Sequence, residues 1–134
     1  MSDTSQSKCV LLVDDEKDFR DIFGTKLRGA GFEIVEAANG KEALDALKTT
    51  KPDLIVMDCQ MPEMNGIEAF LRIKEDPSLS HYNVLFMTNH TEPQAEMADI
   101  DKKFAKEIGA ADFVKKADGP DAMLKRVQEL CGMS

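Results

Sequence analysis

Along the chain, short unbroken apolar runs alternate with stretches where apolar residues recur every three or four positions. The first run, CVLLV at 9–13, has no polar alternation, the pattern of a strand buried on both faces (β1). Phe19, Ile22, Phe23 and Leu27 then recur at helical spacing (α1), and GAGF at 29–32 closes that helix. FEIVEA at 32–37 reads as a second strand (β2), and NGKEALDALK at 39–48 as a helix with Ala43, Leu44 and Leu47 on one face (α2). Pro52 ends that unit, DLIVM at 53–57 is a third strand (β3), and MPEMNG at 61–66 is a loop. Asn65 can cap a helix carrying Ile67, Phe70, Leu71 and Ile73 (α3). NVLFM at 83–87 is a fourth strand (β4). Thr91 and Gln94 form a capping pair for a helix marked by Met97, Ile100, Phe104, Ala105 and Ile108 and ended by Gly109 (α4). ADFV at 111–114 is a short fifth strand (β5). Asp118 and then Pro120 open a last helix with Met123, Leu124, Val127 and Leu130 inward (α5).

Five repeats of strand then helix predict an α/β fold: a parallel sheet with helices on both faces, a flavodoxin-like three-layer sandwich. Right-handed crossovers leave few topologies, and the order 2-1-3-4-5 suits a chain of 134 residues. Ligands then bind outside the carboxyl ends of the strands, near the switch point between β1 and β3. The expected organisation is one domain over 8–131, with a disordered polar tail at 1–7 and a short tail at 132–134.

Charge narrows the functional classes. The net charge is −8, the opposite of what a general nucleic-acid binder carries, so direct DNA or RNA binding is not expected. No apolar stretch approaches the ~20 residues a membrane span needs, and the start lacks an apolar signal core. Cys9, Cys59 and Cys131 are odd in number and widely spaced, which points to unpaired thiols in a reducing cytoplasm. His81 and His90 stand at no spacing that would complete a zinc site with them.

The residues after the apolar runs carry the chemistry. β1 is followed by Asp14 and Asp15, β3 by Asp58, β4 by Thr88, and β5 by Lys115 and Lys116. In a parallel sheet these ends share one edge, and β1 and β3 are neighbours, so the three aspartates should converge. Three carboxylates within a few ångströms do not all stay ionised unaided: one takes a proton or a cation sits among them. Mg²⁺ fits, as a hard ion held by one or two carboxylates and often sharing its octahedron with a phosphate. Lys116 adds a compact positive charge and Thr88 a hydroxyl donor, which suits a phosphoryl group, with an aspartate as nucleophile. Each feature alone has a plainer reading. An acidic pair after a strand is more often a cap or a solvated turn, Thr88 alone is an ordinary strand-end hydroxyl, and Lys115 is a solvated lysine. Met57, Met61 and Met64 read as packing or loop residues, and Cys59 as a small filler.

These segments resemble the receiver domain of two-component response regulators. LLVDDE at 11–16 resembles the family's first-strand acidic pair, and VMDCQMPEMNG at 56–66 its D-x-x-M-P-x-x-x-G segment. FMTNH at 86–90 resembles the fourth-strand Thr/Ser segment, and GAADFVKKA at 109–117 the G-A-x-D-[YF]-x-x-K-P segment. The match spans about residues 8 to 131, with the motifs in family order. Chemotaxis members of this family are themselves type examples of the order 2-1-3-4-5. The resemblance implies that Asp58 is the phospho-acceptor and that Asp15 and Asp58 bind Mg²⁺ (or Mn²⁺) directly. Asp14 would act mainly through water, and the backbone carbonyl of Gln60 would add a ligand. Counting from Gly109 and Ala110, the family lysine falls on Lys116, and Phe113 on the switch aromatic beside Thr88. Strand alternation separates Lys115 from Lys116, so only one of them points into the pocket. By the same resemblance, Gln60 and His90 would border the acyl phosphate and tune its lifetime.

Three departures stand out. Ala117 replaces the family proline after the lysine. A cis bond there would cost about 2.5–4 kcal/mol, so a trans bond or a visibly strained loop is expected. Asn89 stands where the family has a very small residue, and its side chain would crowd the phosphoryl donor's approach and slow transfer or hydrolysis. The stretch from Thr88 to Gly109 exceeds the family norm, lengthening α4 or the loop before it. The expected function is phospho-acceptance from a sensor histidine kinase, a phosphotransfer protein or a small phosphodonor. The α4–β5–α5 face then switches to control a protein partner or pass the phosphoryl group on, as a monomer or a phosphorylation-dependent dimer, without turnover of external substrates. A receiver-fold binding module that works without phosphate is the main alternative. An aspartate-based phosphohydrolase fits less well, since position 60 is Gln. A flavodoxin lacks support because no Gly/Ser/Thr-rich loop follows β1.

Overall fold

The computed structural model describes residues 8–58, 66–88 and 112–132. Within them five strands form one parallel sheet in the order β2-β1-β3-β4-β5. The strands are β1 (Cys9–Val13), β2 (Glu33–Ala37), β3 (Leu54–Asp58), β4 (Val84–Thr88) and β5 (Asp112–Lys115). The helices are α1 (Lys17–Gly29), α2 (Gly40–Ala46), α3 (Gly66–Glu75) and α5 (Gly119–Leu130), with a 3₁₀ turn at Lys116–Asp118. β3 and β4 run one residue further than the apolar pattern predicts, because Asp58 and Thr88 still pair with the neighbouring strands. The expected α4 and the Asn65 cap lie outside the described residues.

Strand alternation splits the core into two layers. Val10, Leu12, Leu54, Val56, Leu85 and Met87 face one side and pack with Phe23 and Leu27 of α1 and Met123 and Val127 of α5. Leu11, Val13, Ile55, Met57, Val84 and Phe86 face the other and meet Ala43, Ala69, Phe70 and Ile73 of α2 and α3. The central strands are buried on both sides, which is why they read as unbroken apolar runs.

Two helical expectations fail. Ile22 is 53% exposed and Leu71 37%, although both stand in the apolar pattern. Each follows or precedes a residue that does reach the core, Phe23 and Phe70, and adjacent helical positions diverge by about 100°. α2 begins with a reciprocal cap. Asn39 Oδ1 accepts from the Glu42 N–H at 2.9 Å, and Glu42 Oε1 accepts from the Ala38 N–H at 2.9 Å. At the other end of the fold Asp118 precedes α5 without a side-chain cap bond, and proline stands in the first turn. The Lys116–Ala117 bond is trans, and no described non-glycine residue has positive φ. The corner after β5 is turned instead by the 3₁₀ turn and by Gly119 at φ 92°.

Candidate metal and phosphoryl site

The register Val13↔Met57 sets the carboxyl ends of β1 and β3 side by side. Asp14 follows the first and Asp58 ends the second. Carboxylate oxygens of Asp14, Asp15 and Asp58 lie within 4.8 Å of one another, with Asp14 and Asp58 buried and Asp15 exposed. The Asp14 peptide is held firmly: its N–H donates to Ala37 O at 3.1 Å, and Asp14 Oδ1 accepts from the Glu16 N–H at 2.8 Å.

Lys116 enters from the turn after β5. Its Nζ lies 2.6 Å from Asp14 Oδ2 and 3.3 Å from Glu16 Oε1, and donates to Asp58 Oδ2 at 3.0 Å. The Phe19 ring sits beneath it, 4.3 Å from Nζ to the centroid. Lys116 is 4% exposed whereas Lys115 is exposed, so the pocket takes one lysine of the two. Burial lowers the ammonium's proton affinity, but the hydrogen bond to Asp14 and the charges of Asp58 and Asp14 outweigh it and raise its pKa. Burial raises the Asp14 pKa, helped by the Asp15 charge and opposed by Lys116 and the Glu16 N–H.

Asp14, Asp15, Glu16 and Asp58 set four formal negative charges against the one on Lys116. Asp14 Oδ2 is buried against the Lys116 ammonium, which Asp58 and Glu16 also share. A surplus of hard anionic oxygens around one shared ammonium is a donor set that fits a hard divalent cation. Asp14, Asp15 and Asp58 could hold one.

Thr88 ends β4 opposite Lys115, and Phe113 pairs with Phe86 inside the β4–β5 ladder. Their backbones therefore lie where the sequence places them, at and just below the same edge. Gln60, Asn89 and His90 lie outside the described residues. The sequence reading missed three neighbours of the site: Glu16 and Phe19 against Lys116, and Arg20, whose NH1 donates to Asp14 O at 2.6 Å. Their common signal was position, in or just before the first turn of α1, directly after the acidic pair.

The acidic cluster and the buried lysine thus meet at the switch point of a doubly wound parallel sheet. The response regulator receiver domain matches residues 10–128, and the chain belongs to that family. It is 34% identical over 125 residues to the chemotaxis protein CheY of Thermotoga maritima, covering 92% of this chain and 97% of that protein. It is 31% identical over 124 residues to the alkaline phosphatase synthesis transcriptional regulatory protein PhoP of Bacillus subtilis, covering 92% of this chain. The chain spans 48% of that regulator's length, and about half the length of a second curated relative too. The solved chemotaxis response regulator CheY4 of Vibrio cholerae superposes with a TM-score of 0.79 at 30% identity, covering 92% of this chain and 98% of that one. Receiver domains are modules of two-component signalling rather than conventional enzymes, and they bind Mg²⁺ at an acidic pocket. Among the described residues no helix is long and apolar enough to cross a membrane.

Proposed function

We propose that the domain over 8–131 accepts a phosphoryl group on Asp58 and signals through the change that follows. One observation carries this reading: Asp14, Asp15, Asp58 and Lys116 meet at the β1/β3 switch point. A carboxylate oxygen of Asp58 attacks phosphorus, the donor's leaving atom departs with the bonding pair, and an acyl phosphate remains. Asp15 and Asp58, with Asp14 through water and the Gln60 carbonyl, would hold Mg²⁺, and the ion when bound would offset charge on the carboxylates and the phosphoryl oxygens. Lys116 already bonds Asp58 and needs little movement to bond a phosphoryl oxygen. Thr88 supplies a hydroxyl to the same group, Phe113 follows it, and the α4–β5–α5 face shifts between two states whose balance phosphorylation biases. Gln60, Asn89 and His90 set the rates of entry and loss.

The donor is a sensor histidine kinase, a phosphotransfer protein or a small phosphodonor in the cytoplasm, and the output is a protein partner or onward phosphotransfer. The test is intact-mass spectrometry after incubation with acetyl phosphate, with and without Mg²⁺, on wild type and Asp58→Asn. A single phosphoryl adduct that needs both Mg²⁺ and Asp58 is expected. Mg²⁺ uptake with no adduct from acetyl phosphate or from a histidine kinase would instead make this a phosphate-independent binding module.

A further inference from the structure

We propose that Arg20 is a positioning residue for the acidic pair, clamping the Asp14–Asp15 peptide so that both carboxylates face a bound cation. The inference rests on the reading of Asp14, Asp15 and Asp58 as the Mg²⁺ site. Arg20 stands in the first turn of α1, where an ordinary arginine extends into water. This one folds back. Its side chain is only 15% exposed; NH1 donates to Asp14 O at 2.6 Å and Nε donates to Glu36 Oε1 at 3.1 Å. Glu36 stands on β2, one residue before the Ala37 carbonyl that accepts the Asp14 N–H. Arg28 binds the other Glu36 oxygen at 3.1 Å, which holds the anchor in place.

Asp14 is thus gripped at four atoms: N–H by Ala37 O, Oδ1 by the Glu16 N–H, Oδ2 by Lys116, and carbonyl oxygen by Arg20. The peptide that follows is planar, so fixing the Asp14 carbonyl fixes the direction in which the chain enters Asp15. Asp15 is exposed, so its direction is set by the backbone that carries it. The guanidinium fork can satisfy a carbonyl and a carboxylate together, which a lysine ammonium cannot do with the same geometry.

Charge and position predict opposite signs. As a bare cation near a metal site, Arg20 opposes Mg²⁺, and its loss would tighten binding. As a clamp, its loss weakens binding, by on the order of tenfold for an outer residue that orients ligands. Glu36 pairs with the guanidinium and blunts its field, so the clamp dominates.

The experiment is calorimetric titration of Mg²⁺ into the metal-free full chain: wild type, Arg20→Gln, Arg20→Lys, Glu36→Gln and Asp58→Asn. Amide hydrogen exchange at Glu16 is followed in the metal-free proteins, so one readout is independent of the ion. Weaker Mg²⁺ binding in Arg20→Gln, a smaller loss in Arg20→Lys and Glu36→Gln, and faster exchange at Glu16 are expected. Should Arg20→Gln not fold, the Arg20→Lys and Glu36→Gln losses decide alone. Unchanged or tighter binding in the folded Arg20 variants, with wild-type binding that Asp58→Asn abolishes, overturns the clamp and leaves the site reading intact. No Mg²⁺ uptake by wild type overturns both.

Discussion

The two edges of the sheet use the same residue type in opposite ways. At the carboxyl edge Asp14 and Asp58 are buried, share one lysine, and carry more negative charge than the pocket neutralises. At the amino edge Asp53 is exposed, and its Oδ2 accepts from the Cys9 N–H at 2.8 Å, tying the starts of β1 and β3 together. The second aspartate is a local brace. The first two are held in a place where their charge is costly, and a fold keeps such groups where they act on something else. The difference comes from what surrounds each end: Lys116, Glu16 and the Phe19 ring close over one, water over the other.

Lys116→Met should break the contrast most severely. It removes the ammonium that two buried carboxylates share, and metal-free protein should lose about 3 kcal/mol in urea unfolding, the low end for a broken buried pair because Asp15 keeps one side of the pocket wet. A loss below about 1 kcal/mol would mean the edge is solvated much as Asp53 is. Mg²⁺ should stabilise wild type by about 2.7 kcal/mol at a hundred times its dissociation constant. Asp58→Asn should erase that gain, and a melt insensitive to Mg²⁺ would remove the distinction between the edges. Asp53→Ala should cost about 1 kcal/mol or less, the worth of one hydrogen bond near solvent, and leave Mg²⁺ stabilisation untouched.

The smallest effect concerns the thiols. Burial raises the pKa of Cys9 and Cys131, with Glu33 and Asp53 adding to the first and Asp53 to the second. A raised pKa leaves less thiolate at any given pH. The midpoint pH of peptide-resolved iodoacetamide labelling should therefore lie above that of a free cysteine peptide for both. A midpoint equal to that of the free peptide would show that neither burial nor the nearby carboxylates act on these thiols.

Much of this architecture is local and therefore legible without a structure. Unbroken runs at CVLLV, DLIVM and NVLFM report strands buried on both faces, and the residue that ends each run must fall at the shared edge of a parallel sheet. That logic places Asp14, Asp15, Asp58 and the Lys115–Lys116 pair at one edge before any distance is known. Helical spacing is a weaker guide to burial. Ile22 and Leu71 satisfy it and still face solvent, because the sheet offers each helix one stripe and the neighbouring phenylalanine takes it.

What the chain determines by itself, then, is the order of its elements and the chemistry at their ends, since both follow from short-range periodicity and from the fixed polarity of parallel strands. Only the folded molecule decides which lysine turns inward, that Glu16 and Phe19 shape its seat, and that Arg20 reaches from a helix to a strand-end carbonyl held from β2. Those relations join residues far apart in sequence, Lys116 and Glu16 among them, through side-chain directions that no periodicity encodes.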